Sequence, residues 1–279
     1  TDSERDMTLL CGLIGENIGN SRLSKALDIM AADVGIEVAF TSIDTLEIEG
    51  FDFDDQMDLL RSDGWTGVTV THPWKTHAAT WADGAMVPGT AHLGAANTLI
   101  FDPVTGHNTD YTGFLSAFPN VLNRSPGSVA VAGAGGVARA VVPALIALGA
   151  GPVHIWDLDA DMAHELAART GAIAVDIADS TDAIRDADGL ANCTPLGMAP
   201  YGGTAFDPLL LGHQKWAFDA VYTPTDTPFA LAAKSAGLDV LTGFDLFRFM
   251  AMQSFEAYTG ITPDPVMTLP KLAALRPRE

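Results

Sequence analysis

Residues 128–139 read Ser-Val-Ala-Val-Ala-Gly-Ala-Gly-Gly-Val-Ala-Arg, and no other stretch of the chain restricts its fold so closely. A short apolar run, a cluster of glycines and a helix-forming run follow one another, which is the order strand, tight turn, helix. Gly133 permits the turn, Gly135 lets the backbone approach a bound group, and Ala138 is small enough for helix and strand to close up. The first amides of such a helix are unpaired and lie at its positive end, so they suit a pyrophosphate. Gly133, Gly135, Gly136 and Val137 are therefore candidate dinucleotide-binding residues. Similar turns also occur as plain strand-helix corners, so the residues that follow matter. Asp157 ends the next apolar run, Val153-His154-Ile155-Trp156. An acid there accepts hydrogen bonds from the ribose 2′-hydroxyl and repels a 2′-phosphate, which predicts NAD rather than NADP. The alternative is an ordinary strand-end acid capping the next turn. Arg139, the nearby base, is expected to point at the pyrophosphate.

Apolar runs alternate with amphipathic stretches along nearly the whole chain, the rhythm of β-α-β units and a mostly parallel sheet. Strands are predicted at 9–15, 38–43, 67–71 and 95–101, the last closed by a turn bearing Gly106, with helices at 24–34 and 54–62. Pro73 suits the first turn of a third helix, where its missing N–H is not needed. A helix over 111–122 leads into Asn123-Arg124-Ser125-Pro126-Gly127, which reads as a linker. A second series follows, with strands at 129–132, 153–156, 189–193, 216–221 and 240–241. Helices are predicted at 137–148, 160–169, 228–235 and, last, 246–258. The fold class is α/β with two domains, an α/β substrate domain (1–112 plus 245–279) and a Rossmann dinucleotide-binding domain (113–244).

Composition narrows the partners. The net charge of −20 opposes a nucleic-acid role, since phosphate backbones need a basic face. No apolar run is long enough to span a membrane. Thr1 to Met7 lacks the basic-then-apolar order of a signal peptide, so a cytoplasmic protein, monomeric or homodimeric, is expected. Cys11 and Cys193 lie in apolar runs and read as buried free thiols. The histidines have no metal-ligand spacing, so no metal is inferred.

Three polar groups stand where the strands of the first half end, the face expected to meet the cofactor. Thr71-His72-Pro73-Trp74-Lys75 puts a lysine just inside a helix. Gly94-Ala95-Ala96-Asn97-Thr98 puts an amide in a strand, and Asp110 opens a helix. Singly, each has a plain reading as a solvated lysine, a strand-bonding amide and an N-cap. A lysine at a positive helix end is nevertheless uncomfortable, and such a group can serve as a general acid or base.

Seven segments in order then resemble the shikimate/quinate dehydrogenase family over essentially the whole chain. They are Gly12-Leu13-Ile14-Gly15, Thr71 to Lys75, Gly94 to Thr98, Asn108-Thr109-Asp110, Gly133 to Gly136, Asn192 to Met198, and Asp219-Ala220-Val221-Tyr222-Thr223-Pro224. The resemblance implies hydride transfer between a secondary alcohol and nicotinamide, with the proton handled by a lysine–aspartate pair matching Lys75 and Asp110. It implies substrate contacts at Thr71, Asn97 and Tyr222, and nicotinamide contacts at Thr194, Met198, Val221 and Gly243. The substrate it implies is a small hydroxy acid, shikimate- or quinate-like.

Three positions depart from the family pattern. A hydroxyl pair after the first strand, which grips the ring carboxylate, survives as Ser21 but becomes Leu23 at its second member. Thr69 stands where asparagine is usual, and Met250 where glutamine is usual. Gln253, three residues on, shares a helical face with Met250. Ser24 can replace the lost hydroxyl if the loop shifts, and Arg22 can pair with a carboxylate. A substrate group left unpaired against Leu23 or Met250 costs about 1–3 kcal/mol. The departures therefore leave open a relative acting on another hydroxy acid or polyol, drift compensated by neighbours, or a non-catalytic dinucleotide-binding regulator.

Overall fold

The structure, a computed structural model, describes residues 8–277. The N-terminal segment behind the localisation expectation lies outside them. The chain divides into two compact units. The first comprises residues up to Thr109 together with Met250–Leu275, the second Asp110–Phe249 with the residues from Arg276 on.

In chain order the first unit holds β1 (Thr8–Gly15), α1 (Leu23–Val34), β2 (Glu37–Asp44), α2 (Phe53–Ser62), β3 (Gly67–Val70), α3 (Lys75–Trp81), β4 (Thr98–Phe101) and β5 (Val104–His107). Helix α4 (Thr109–Leu122) carries the chain into the second unit, with β6 (Val129–Ala132), α5 (Ala138–Ala147), β7 (Val153–Trp156), α6 (Ala160–Thr170) and β8 (Ile173–Ala174). There follow α7 (Ser180–Asp186), β9 (Gly189–Asn192), β10 (Trp216–Asp219), α8 (Pro228–Ser235) and β11 (Asp239–Thr242). Helix α9 (Gly243–Thr259) then returns the chain to the first unit, where α10 (Pro265–Leu272) closes it. The expected domain breaks, at 112/113 and 244/245, and the observed unit boundaries fall inside the same two helices, α4 and α9.

The second unit is a six-stranded sheet in the order β11-β10-β9-β6-β7-β8, with every recorded pairing parallel. Strands β6, β9 and β10 are buried throughout. That is why they read as unbroken apolar runs: both faces of a parallel sheet are covered. Phe114 and Phe118 of α4 meet Phe218 and Trp216 of β10 edge-on at 5.1 and 4.9 Å. Polar side chains start the helices. Asp159 accepts from Asp161 N at 3.1 Å ahead of α6, and Thr227 from Ala230 N at 3.0 Å ahead of α8.

The sheet of the first unit, β2-β1-β3-β4-β5, is mixed, where the second is parallel throughout. β1 pairs in parallel with β2 and β3, but β3-β4 and β4-β5 are antiparallel. The expected strand at 95–101 is shortened to β4 and pairs with a further strand, β5, so Gly106 sits inside β5 rather than in a turn. A Cβ there would come within 2.5 Å of Met86 Sδ, so glycine serves close packing. Pro73 lies in the turn before α3, which starts at Lys75 after the Trp74 N to Thr71 O bond of 3.0 Å. The short β8 and α7 and the terminal α10 were not anticipated; α10 contains Pro270, which breaks its helical signature. Cys11 and Cys193 are buried free thiols, and burial together with Asp28 pushes Cys11 up to about 12. Among the described residues no helix is long and apolar enough to cross a membrane.

Candidate active site

In the second unit the glycine turn joins β6 to α5. Gly133 has φ +95°, and a Cβ there would meet Cys193 O at 2.8 Å, so both backbone and space require glycine. Its amide donates to Trp156 O at 2.8 Å, which ties the turn to the end of β7. Gly135 and Gly136 have the opposite surroundings: a Cβ at either would meet nothing within 4 Å. The amides of Gly135, Gly136 and Val137 make no backbone hydrogen bond recorded among the described residues. Amides without a backbone partner, in a glycine turn with room beside it and at the start of a ten-residue helix, are the features an anionic pyrophosphate needs.

Asp157 takes part in the turn directly. Its Oδ2 accepts the Ala134 amide at 2.7 Å and its Oδ1 the Asp159 amide at 3.0 Å. The capping alternative raised from the sequence is thus present, and each oxygen keeps a further lone pair for a ribose hydroxyl. Arg139 does not extend freely over the turn. It reaches Glu165 of α6 at 3.3 Å, a carboxylate that Arg169 also approaches at 3.5 Å. No ion pair is recorded for Asp157 among the described residues. The donor set therefore fits a dinucleotide without a 2′-phosphate.

The other cofactor candidates cluster at the ends of β9 and β10. Asn192 Oδ1 accepts from Thr194 N at 3.0 Å and Thr194 Oγ1 at 2.6 Å, and Thr194 Oγ1 accepts Leu196 N at 3.1 Å. Met198, on the same loop, is 37% exposed. Val221 N donates to Asp219 Oδ1 at 3.1 Å. Gly243 opens α9, where a Cβ would lie 2.3 Å from Ala220 O. Tyr222 stacks on Phe247 at 5.7 Å and 6°. Asn192, Asp219 and Thr227, buried polar residues bonded to one another beside these candidates, are not among the positions singled out from the sequence. The available signal was a polar residue ending an apolar strand at Asn192 and Asp219, and a Thr-Pro helix start at Thr227.

In the first unit, backbone bonds gather the polar candidates. Thr71 N donates to Ile14 O at 2.9 Å, Ala96 N to Lys75 O at 2.9 Å and Val70 N to Asn97 O at 2.7 Å. Thr71, Lys75 and Asn97 are thereby held on neighbouring segments. Asn97 is 1% exposed, and its Oδ1 accepts Thr109 N at 2.7 Å. Ser254 Oγ of α9 lies 3.1 Å from Thr109 Oγ1 and 3.4 Å from Thr98 Oγ1. Asn97 is placed just before β4 rather than in it, and it anchors the start of α4, where Asp110 is the second residue. Lys75 falls in the first unit and Asp110 at the first residue of the second.

The departing positions are accounted for locally. Leu23, with 2% of its surface exposed, lies on the buried face of α1 with Ala26 and Leu27. Ser21 Oγ accepts Leu23 N at 3.3 Å, and Arg22 Nε is buried without a hydrogen-bond partner. Thr69 Oγ1 lies 2.6 Å from Tyr258 OH of α9, both side chains buried. Burial holds that phenol well above its ordinary range. Met250 and Gln253 are both half-buried on α9.

Fold and turn together define a two-unit α/β protein with a dinucleotide-binding Rossmann unit. Comparison with known proteins gives the family. The shikimate dehydrogenase substrate-binding domain matches residues 13–99. A quinate/shikimate dehydrogenase (NAD(+)) of Corynebacterium glutamicum is 34% identical over 92% of this chain and 95% of its own. A shikimate dehydrogenase (NADP(+)) of Pseudarthrobacter chlorophenolicus is 35% identical over 94% of both. The solved quinate dehydrogenase from Corynebacterium glutamicum in complex with NAD superposes with TM-score 0.90 at 32% identity, covering 96% of this chain and 99% of the other. The chain belongs to the shikimate/quinate dehydrogenase family.

Proposed function

We propose that this protein is an NAD-dependent dehydrogenase that interconverts a secondary alcohol and a ketone on a small polyhydroxy cyclic acid of the shikimate or quinate kind. The first unit is its substrate domain and the second its dinucleotide domain. The observation that carries the cofactor choice is Asp157, whose carboxylate is fixed against the glycine turn and has no ion pair among the described residues. Relatives of nearly equal identity are named for NAD and for NADP, so this residue decides what overall resemblance does not.

When bound, the nicotinamide supplies the hydride acceptor or donor. The chain's own groups do the rest. The turn amides and Asp157 hold the dinucleotide, and Thr194, Met198, Val221 and Gly243 line its nicotinamide end. Lys75 and Asp110 take and return the hydroxyl proton, with Asp110 steadied through Thr109 and Asn97. Ser21, Thr71, Tyr222 and Gln253 orient the acid. The packing of Leu23 and the Thr69–Tyr258 bond support a second reading, in which the ring substituents differ from those of shikimate and quinate. The same proposal carries a cytoplasmic, monomeric or homodimeric enzyme, and the charge of −20 opposes a nucleic-acid partner.

The test is an assay of NAD and NADP reduction across quinate, shikimate and related cyclic polyols. NADH formation with one of them is expected, with NADP poorer by about tenfold or more, equivalent to roughly 1.4 kcal/mol at the ribose. Lys75→Ala should abolish turnover and keep measurable NAD binding. Bound NAD with no reduction by any hydroxy acid would establish the regulator instead.

A further inference from the structure

Asp219 ends β10 with 1% of its surface exposed, and no ion pair is recorded for it among the described residues. It collects donors instead. Its Oδ1 accepts Asn192 Nδ2 at 3.0 Å and Val221 N at 3.1 Å, and its Oδ2 accepts Thr227 Oγ1. The three donors come from three different places: the end of β9, the loop after β10 and the cap of α8. Each passes the constraint on. Asn192 also donates to Leu196 O at 3.2 Å and accepts from Thr194, while Thr227 accepts the Ala230 amide at 3.0 Å.

Two N–H groups, which can only donate, share Oδ1, while the Thr227 hydroxyl on Oδ2 can donate or accept. An ionised carboxylate accepts all three, whereas a carboxamide must turn the Thr227 hydroxyl round from donor to acceptor while it still receives the Ala230 amide. Burial opposes that ionisation and raises the carboxyl above its usual range, while the bonds from Thr227, Val221 and Asn192 lower it. A buried carboxyl without a cation is an expensive way to stabilise a fold, and apolar residues would serve stability as well. What a fully satisfied polar network adds is one defined geometry.

We infer that Asp219 is a positioning residue for hydride transfer, which holds the Thr194–Met198 loop and Val221 in a single arrangement through Asn192, Val221 and Thr227. The inference rests on the placement of the nicotinamide at those loops under Proposed function. Asp219 touches no reacting atom; it acts through the groups that do.

Asp219→Asn, Thr227→Val and Thr227→Ser test this against ADP-ribose, which lacks the nicotinamide. Asp219→Asn should raise the Kd for NADH about tenfold and leave that for ADP-ribose within about twofold. With whichever acid the wild type oxidises, kcat should fall about a hundredfold while KM for the acid changes little, since a small misplacement costs that much. Thr227→Val should move the same quantities less, and Thr227→Ser, which keeps the hydroxyl, should restore them. Equal weakening of NADH and ADP-ribose, or a lower Tm with both affinities intact, would overturn the inference. If Asp219→Asn does not fold, the Thr227 pair carries the comparison. If the wild type oxidises no acid, the functional proposal fails while the two-ligand comparison still decides Asp219.

Discussion

Asn97 accepts the backbone amide of Thr109 on its side-chain oxygen at 2.7 Å, deep in the first unit, and so fixes the residue that precedes Asp110. Both side chains are buried, at 1% and 2% exposure, and Ser254 continues the network at 3.1 Å. Asn97→Ala leaves the Thr109 amide without its acceptor, a cost of about 1–3 kcal/mol. In a chain of this length that is a fall in Tm of roughly 2–5 °C, to be read by calorimetry. Turnover should fall further than the stability loss accounts for, because the start of α4 loosens. Wild-type kcat in a destabilised Asn97→Ala protein would remove Asn97 from the mechanism and leave it a structural cap.

Thr69 and Tyr258 make the same kind of argument for a position that differs from the family pattern. Their hydroxyls lie 2.6 Å apart, between β3 and α9. Thr69→Val and Tyr258→Phe each orphan one buried hydroxyl and should each cost about 1–3 kcal/mol. The double variant removes both partners, so it should be less destabilised than the sum of the singles by about 1 kcal/mol or more. Additive losses in urea unfolding would mean that the bond contributes nothing.

The glycine turn separates fold from binding at two positions. Gly133→Ala meets φ +95° and a carbonyl at 2.8 Å, so it should destabilise the protein outright. Gly135→Ala meets no atom within 4 Å, so the folded protein should tolerate it. The added methyl would nonetheless stand where a pyrophosphate approaches, and NAD affinity should drop about tenfold or more. Thermal unfolding and NADH titration of the two variants check this; unchanged affinity in Gly135→Ala would place the pyrophosphate elsewhere.

What the sequence discloses follows from how local each feature is. Strands β6, β9 and β10 are readable because they are covered on both faces, and the glycine turn because its geometry is set by adjacent residues. The hairpin β4-β5 is not readable, since Gly106 looks like a turn residue until Met86 is packed against it. The two-residue β8 carries too little periodicity to register. At the site, Lys75, Asp110 and Asp157 stand out as motifs. The Asn192–Asp219 and Thr69–Tyr258 bonds join residues 27 and 189 apart, and only the fold makes such pairs visible. Nor does the sequence show that Leu23, a departure from the family's hydroxyl pair, is the first residue of a helix and buried.

His107, at the end of β5, predicts a pH dependence. Burial lowers its pKa from 6.5, and nearby Glu256 opposes the shift. A depressed pKa means that the folded state binds the proton less readily than the unfolded chain. The contribution of neutral His107 is therefore complete above about pH 6.5 and is lost as pH falls through that value toward the folded pKa. Tm should fall between about pH 7 and 5 by more in the wild type than in His107→Gln, whose side chain does not titrate there. Glu256→Gln removes the one opposing charge, so the folded pKa should drop further and the acid loss should grow. Parallel Tm profiles for wild type and His107→Gln would show that other groups govern the acid limb.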